Sequence, residues 1–194
     1  MSKQGILFVL TGPSGVGKGT VLAEVRKQKE LYLSISATTR QPRPGEQDGV
    51  QYYFLTREQF EQKVAENGFL EHAEFSGNCY GTPAAPVDEQ LAAGRDVMLE
   101  IEVQGAMQVH QMRQDAVRIF IAPPSFAELE RRLTGRGTED ADAVSRRLET
   151  AKHELTLADE FDYIVINNTV EQATADVLAI LRAESCRAAR VEIK

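Results

Sequence analysis

Cysteine and histidine are scarce in this chain. Its 194 residues include two cysteines and three histidines. Cys79 and Cys186 lie far apart without a Cys-x-x-Cys spacing, which argues against a disulfide framework and a thiolate metal site, so we expect reduced thiols. The histidines are scattered without the spacing of metal ligands. The sequence therefore predicts no metal site built from cysteine or histidine.

Long apolar runs are also missing. The longest, at residues 6–10 and 177–181, are far shorter than the roughly 18 residues that a membrane-spanning helix needs. Lys3 is the only basic residue before the first run, and the run itself is too short for the apolar core of a secretion signal. From these absences we expect a cytoplasmic protein without a membrane partner.

Positive charge is in deficit, because 22 lysine and arginine residues face 29 aspartate and glutamate residues, a net charge of −7. This balance argues against a protein whose main partner is a nucleic acid or an anionic membrane. An anionic ligand must then be bound by a local pocket. The chain length suits one compact unit or a core with a grafted subdomain.

Short β-rich runs alternate with helical patterns. The runs at 5–11, 96–101, 117–122 and 163–167 are almost continuously apolar, which is typical of strands covered on both faces. Helix-start signals lie between and after them: Ser125 with Glu128 forms a capping box, and Thr169 with Gln172 marks the start of the last helix. The alternation predicts an α/β fold with a central parallel sheet.

Two segments depart from this alternation. Residues 34–83 combine a turn-rich stretch with aromatic strand-like runs, and we expect an inserted α+β lobe. Residues 125–159 form two helical patterns around a polar turn, which we interpret as a lid that closes over a ligand. The rest, about 1–33, 84–124 and 160–194, is the predicted core of a single domain spanning 1–194.

The most specific motif is a glycine-rich loop between a strand and a helix. Its residues are Gly12, Pro13, Ser14, Gly15, Val16, Gly17, Lys18, Gly19 and Thr20. In a phosphate-binding loop, glycines let backbone N–H groups surround phosphate oxygens, and the lysine reaches the outer phosphates. A turn that only caps a strand is the other interpretation, which the lysine and the strand-helix context disfavour. The usual Ser or Thr after the lysine, a magnesium ligand, is Gly19 here, so no direct protein ligand for the metal is assured.

Arg40 and Arg43 indicate a second phosphate site. They lie three residues apart in a proline-stiffened segment, and two guanidinium groups can converge on one phosphate because their planar forks match its oxygens. The hydroxyl of Tyr52 adds a neutral donor. Taken alone, a charged surface loop explains this segment equally well.

Glu71 is a candidate for base recognition. A carboxylate accepts paired hydrogen bonds from the N1–H and the 2-amino group of guanine, whereas adenine offers no such pair. Ser36 and Thr82 supply hydroxyl contacts to the ring, and Tyr80 supplies a donor to phosphate. A solvated strand glutamate is the commoner explanation of Glu71 by itself.

Glu100 and Glu102 point to the same face of a predicted strand, near the sheet edge where open α/β folds bind ligands. Acidic groups there can orient magnesium-bound water and contact an acceptor nucleotide. The alternative is an end-of-strand pair that faces solvent or nearby basic side chains.

Together these motifs resemble the guanylate kinase family of nucleoside monophosphate kinases, from the phosphate loop to Asn167. The motifs are GPSGVGKGT, S-x-T-T-R-x-P-R-x-G-E, F-L-E-x-A-x-x-x-G-N-x-Y-G-T, L-E-I-E-V-Q-G and G-R-G-T. The resemblance implies a P-loop NTPase-like three-layer fold with a GMP-binding lobe and a helical lid. It also implies transfer of the γ-phosphoryl group of ATP, with Mg²⁺, to GMP in purine nucleotide metabolism and GMP recycling.

The resemblance assigns roles to the candidate residues. ATP is bound by the loop 12–20 and Asn167, and the GMP phosphate by Arg40, Arg43, Tyr52 and Tyr80. Guanine is recognised by Ser36, Glu71 and Thr82, and Glu100 and Glu102 contact GMP, with Glu100 reaching magnesium through water. The catalytic cations are Lys18, Arg40, Arg43, Arg136 and Arg147. Of the five lid arginines, which also include Arg131, Arg132 and Arg146, at least two are expected on a solvated helix face.

Two other functions stay open at this point. One is a kinase for another small acceptor, such as AMP or a sugar phosphate. The other is a scaffold that binds phosphopeptides with the GMP lobe and has lost catalysis, which the intact loop and the lid arginines disfavour. The residues also leave open the use of dGMP and a homo-oligomeric state.

Overall fold

The chain has a mixed α/β fold in a computed structural model that describes residues 4–134 and 141–191. Within these residues the strands are β1 (Leu7–Thr11), β2 (Tyr32–Leu33), β3 (Ala37–Thr38), β4 (Tyr53–Phe54), β5 (Phe69–Phe75), β6 (Asn78–Pro83), β7 (Val97–Glu100), β8 (Val117–Ala122) and β9 (Tyr163–Ile166). The helices are α1 (Lys18–Gln28), α2 (Arg57–Ala65), α3 (Ala84–Ala92), α4 (Val103–Met112), α5 (Phe126–Thr134), α6 (Ala141–Thr156) and α7 (Val170–Ser185).

The fold divides into two compact units that interleave along the sequence. The first comprises Met1–Leu7, Tyr32–Leu99 and Gln104–Ala116, and the second comprises Phe8–Leu31, Glu100–Val103 and Val117–Lys194. The first unit contains the whole predicted lobe together with β2, α3, β7 up to Leu99 and α4 from Gln104. The predicted bounds of core, lobe and lid stay predictions.

The second unit is built on parallel strands. Strand β8 pairs in parallel with β1 on one side and with β9 on the other. Every residue of β1 and of β8 is buried, as expected for strands that are apolar on both faces. Helices α1 and α7 pack against each other in this unit. The parallel pairing confirms the predicted α/β class.

The first unit contains the parallel pair β2 and β7 and a separate four-stranded sheet in the order β4-β3-β6-β5. In that sheet β5 and β6 form an antiparallel hairpin, and β3 pairs antiparallel with β6 and parallel with β4. Helix α2 contributes Phe60 to an apolar cluster that also contains Ala37, Phe69 and Cys79. Mixed strands and a helix over 34–83 agree with the α+β character expected of this segment.

Several helices begin at the residues that the sequence predicts. Ser125 Oγ accepts a hydrogen bond from the Glu128 N–H at 3.2 Å, at the start of α5. Thr169 Oγ1 accepts one from the Gln172 N–H at 3.2 Å, at the start of α7. Each cap satisfies one of the N–H groups that a helix terminus leaves without an intrahelical partner. Local polar signals therefore locate these termini correctly.

Helices α5 and α6 flank the predicted polar turn, most of which lies outside the described residues. In the described part of the chain, we find no helix with the length and apolar character needed to cross a bilayer.

Candidate active site

The glycine-rich loop connects β1 to α1 in the second unit. Gly12 has φ 142° and Gly17 has φ 98°, both in the region that favours glycine. At Gly12 a Cβ atom would lie 2.2 Å from the carbonyl oxygen of Ile121, so no side chain fits there. This backbone conformation is typical of loops whose successive N–H groups surround an anion.

Lys18 is the first residue of α1 and folds back over the loop. Its Nζ donates hydrogen bonds to the carbonyl oxygens of Gly12 at 2.5 Å and of Pro13 at 3.4 Å. The same Nζ lies 3.8 Å from Glu102 Oε2, and the Lys18 side chain is only 11% exposed. The ammonium group is therefore held beside the loop by partners that phosphate oxygens are able to replace.

Asn167 and Arg132 hold the loop in place through hydrogen bonds to its main chain. Asn167 Nδ2 donates to the Val16 carbonyl oxygen at 2.7 Å. Arg132 donates to the same oxygen at 3.3 Å and to the Asn167 carbonyl oxygen at 3.1 Å. Hydrogen bonds from Arg131 and Arg132 hold the pKa of Glu128 down at about 2, so Glu128 stays ionised as the partner that orients Arg132.

These residues border a cavity of about 320 Å³ within the second unit, at the lower end of the size range of small-ligand pockets. Its lining consists of Gly15, Val16, Gly17, Thr20, Arg132, Asn167, Asn168 and Val170. Arg132 was not among the predicted site residues. The signal that indicates it is the spacing of four from Glu128, next to the buried Leu133 on the inner side of α5.

Of the two lid arginines predicted to be catalytic, Arg147 lies among the described residues. Arg147 in α6 donates from Nη2 to Ser14 Oγ in the loop at 2.7 Å, so its cationic head lies beside the predicted phosphate site. Arg136 lies outside the described residues.

Glu100 faces the position where the usual phosphate loop has a hydroxyl. A Cβ atom built on Gly19 would lie 3.3 Å from Glu100 Oε1, so the missing side chain at 19 leaves space that this carboxylate borders. Partial desolvation and the charge of Glu102 raise the pKa of Glu100, against the opposing effect of Lys18. Carboxylate oxygens are ligands that Mg²⁺ prefers. Glu100 therefore fits magnesium held through water.

Among the described residues, no group of three or more histidine, cysteine, aspartate or glutamate side chains is placed to hold a metal ion.

Glu154 in α6 is a third carboxylate near Lys18 that sequence reasoning did not predict. Burial and the charge of Glu102 raise its pKa to about 7, although Lys18 acts in the opposite direction. The folded protein therefore holds this proton more tightly than the unfolded chain. It follows that Glu154 lowers the free energy of unfolding as pH rises from about 4.5 to about 7.

We expect the Glu154→Gln variant of the ligand-free protein to have a higher melting temperature than the wild type at pH 8, with a smaller gain at pH 5. Glutamine cannot ionise, so the variant avoids the cost of a charged group near Glu102. Thermal unfolding at the two pH values measures this. Glu149→Gln, an exposed change on the same helix, is the control. Equal shifts of the Glu154→Gln variant at both pH values contradict the expectation.

The first unit contains the predicted acceptor residues. Arg40 Nη2 bonds both oxygens of Glu46, at 2.9 and 3.0 Å, and its guanidinium lies 5.4 Å from the Tyr52 ring centre. Glu46 Oε2 also accepts the Arg43 N–H at 2.7 Å. The rings of Tyr52 and Tyr80 lie edge to face, 6.2 Å apart. Arg40, Tyr52 and Tyr80 are thus gathered in one cluster, in which the hydrogen bond from Arg40 lowers the pKa of Glu46.

The Arg43 side chain is exposed. Its backbone N–H bonds Glu46, and the charge of its guanidinium also helps to lower the pKa of Glu46. Sequence reasoning did not assign Glu46 a role, although it closes the arginine motif. Its position in the turn, six residues after Arg40, is the signal that could have indicated an ion pair.

Glu71 and Thr82 face each other across the β5–β6 hairpin. Thr82 Oγ1 donates to Glu71 Oε1 at 2.7 Å, and the two residues are 1% and 8% exposed respectively. A solvated strand glutamate is therefore the wrong explanation of Glu71. Ser36, partly buried, directly precedes β3, the strand that pairs with β6.

Comparisons with known proteins agree on one family. A family model described as guanylate kinase matches residues 4–184. A guanylate kinase of Thermus thermophilus is 55% identical over 97% of this chain and 86% of its own length. One from Synechococcus is 57% identical over 89% of this chain and 93% of its own length.

A solved structure supports the same conclusion. The crystal structure of guanylate kinase from Anaplasma phagocytophilum superimposes with a TM-score of 0.76 at 34% identity, covering 97% of this chain and 90% of that one. This similarity confirms the predicted P-loop NTPase-like fold.

Proposed function

The chain belongs to the guanylate kinase family, and we propose that it transfers the γ-phosphoryl group of ATP to GMP, giving ADP and GDP. The observation that carries the proposal is the buried Glu71–Thr82 pair. The Watson-Crick edge of guanine supplies an N1–H and an amino group, and these paired donors match a carboxylate that is withdrawn from water and oriented by a hydroxyl.

ATP binds to the second unit. The loop 12–20 surrounds its phosphates, and Lys18 exchanges its carbonyl partners for the outer phosphate oxygens. Arg147 is anchored beside the loop by Ser14, where a cation neutralises charge that develops during transfer. The cavity beside Asn167 and Arg132 takes the adenosine part. Arg136 completes this cationic set in the proposal.

GMP binds to the first unit. Ser36, Glu71 and Thr82 contact guanine, and Arg40, Arg43, Tyr52 and Tyr80 bind the phosphate. Glu46 orients Arg40 through two hydrogen bonds, so little side-chain entropy is lost when the guanidinium meets phosphate. Glu102 contacts the acceptor nucleotide.

The chemical step is an in-line displacement at the γ-phosphorus. An oxygen of the GMP phosphate forms the new P–O bond while the bond to the leaving ADP breaks, and no phosphoenzyme forms. The acceptor oxygen is already ionised at neutral pH, so no protein base is required. Lys18, Arg147 and Arg136 hold the γ-phosphoryl oxygens in line and neutralise them. When bound, Mg²⁺ neutralises further phosphate charge, and Glu100 would hold it through water.

In this proposal the enzyme works in the cytoplasm on free nucleotides, in purine nucleotide metabolism and GMP recycling, without a nucleic acid or membrane partner.

The test is ADP formation, measured by a coupled assay with ATP and Mg²⁺ and with GMP, AMP, CMP or UMP in turn. We expect turnover with GMP alone. Turnover with another monophosphate would keep the kinase and overturn the assignment of the base-recognising residues. If protein that melts cooperatively forms no ADP with any of the four monophosphates, a non-catalytic scaffold would be favoured.

A further inference from the structure

Gly105 occupies a position in α4 that no turn or backbone strain explains. It is the third residue of that helix, it is buried, and it ends the L-E-I-E-V-Q-G motif. After proline, glycine is the poorest residue for a helix interior. A reason outside the helix must therefore favour it.

That reason is Glu71, in the same unit. A Cβ atom built on Gly105 would lie 2.8 Å from Glu71 Oε2, 3.2 Å from its Cδ and 3.3 Å from its Cγ. Distances under 3.0 Å are too short for such a contact, so any side chain at 105 would displace the carboxylate. Its other oxygen, Oε1, is already fixed by Thr82. Thr82 thus constrains one carboxylate oxygen, and the missing side chain at Gly105 leaves room for the other.

Gln108 fixes the strand that carries Glu71. Its side-chain amide donates from Nε2 to the His72 carbonyl oxygen at 3.0 Å and accepts the His72 N–H at Oε1, also at 3.0 Å. His72 is the next residue after Glu71. This pair of hydrogen bonds resembles the pairing of two residues on neighbouring strands, and it fixes the position of β5 relative to α4.

From these contacts we infer that Gly105 and Gln108 are positioning residues that determine specificity for guanine. Gly105 leaves the space in which the Glu71 carboxylate lies, and Gln108 fixes the main chain behind it. The inference rests on the proposed function. Recognition by two parallel hydrogen bonds requires both acceptor oxygens in the plane of the base, so a tilt that keeps one bond loses the other.

The first test is the Gly105→Ala variant with GMP and with inosine monophosphate, which lacks the 2-amino group. We expect kcat/KM for GMP to fall about 10- to 100-fold, mainly through KM. The preference for GMP over inosine monophosphate should fall as well, because the second hydrogen bond is lost. The melting temperature should change little, since alanine favours a helix more than glycine does and this offsets part of the cost of shifting the buried carboxylate. KM for ATP should not change.

The second test is Gln108→Ala, with Gln111→Ala on the exposed side of the same helix as its matched control. Gln108→Ala should reduce the GMP preference, and Gln111→Ala should not. This pair keeps the inference testable even if Gly105→Ala folds poorly.

A double-mutant cycle separates positioning from a general structural role. In a Glu71→Gln background, Gly105→Ala should cost much less GMP activity than it costs in the wild type, because both changes act on the same contact. Additive losses, an unchanged GMP preference in Gly105→Ala, or equal effects of Gln108→Ala and Gln111→Ala would each overturn the inference. A wild-type protein without GMP turnover would instead overturn the proposed function, and the inference with it.

Discussion

The Lys18→Ala variant is expected to lose about 10²- to 10³-fold in kcat, the usual cost of removing one charge-stabilising donor from a transition state, while its melting temperature stays close to that of the wild type. Lys18 makes its contacts to carbonyl oxygens of its own loop and lies near Glu102, so its removal leaves no apolar cavity. In the nucleotide complex the same ammonium group meets phosphate oxygens whose charge is redistributed during transfer.

Steady-state rates with saturating ATP and GMP, and a thermal melt of the same samples, measure the two quantities. Lys27→Ala is a matched control, because Lys27 lies on the same helix with a side chain that is 68% exposed and paired with the surface residue Glu24. Such surface pairs contribute little to stability. KM for GMP should not change in either variant. A near-normal kcat in Lys18→Ala would remove the lysine from the mechanism.

What the sequence predicts well is encoded locally. The phosphate loop lies within nine consecutive residues, and the capping residues Ser125 and Thr169 lie three positions from the N–H groups that they accept. Apolar runs without alternation identify β1 and β8 because burial on both faces leaves no polar position. In each case the residues that form the feature lie in one structural element or in the segment next to it in the sequence.

What sequence reasoning missed depends on contacts between distant segments. Arg132 reaches Val16 across 116 positions, and Gln108 reaches His72 across 36. The spacing of Arg132 from Glu128 indicates an ion pair on a charged helix face. Only the packing of α5 decides that this arginine points to the loop. Glu154 is similar, because its raised pKa arises from burial and from Glu102, neither of which a helix pattern contains.

Glu71 illustrates the boundary between the two cases. Its motif indicated base recognition only through resemblance, since a glutamate in a strand is ordinarily solvated. The threonine that orients it lies opposite in the hairpin, and the glycine that makes room for it lies in α4. The burial of the Glu71 carboxylate depends on contacts with distant segments, so the residues next to Glu71 in the sequence do not indicate it.

The Glu71→Gln variant is expected to lose about 10- to 100-fold in kcat/KM for GMP, equivalent to about 1 to 3 kcal/mol for a buried group left without its partner. The side chain keeps its size, so packing against Gly105 is retained. However, one acceptor becomes an NH₂ donor. If the amide oxygen keeps the hydrogen bond from Thr82, the NH₂ group faces a donor on guanine. In the opposite amide orientation, the hydrogen bond from Thr82 is lost instead.

Steady-state kinetics with GMP, with AMP added as a competitor because no turnover of AMP is expected, separate this loss from a general defect. Adenine makes no paired contact with the carboxylate, so the inhibition constant for AMP should change little. Glu74→Gln is the control. It lies on the same strand with a 58% exposed side chain and carries the same change in charge. KM for ATP should be unaffected in both variants, since the loop and its cavity belong to the other unit. If Glu71→Gln keeps the wild-type preference for GMP over AMP, guanine is recognised by other groups, and the buried carboxylate is then a structural partner of Thr82 alone.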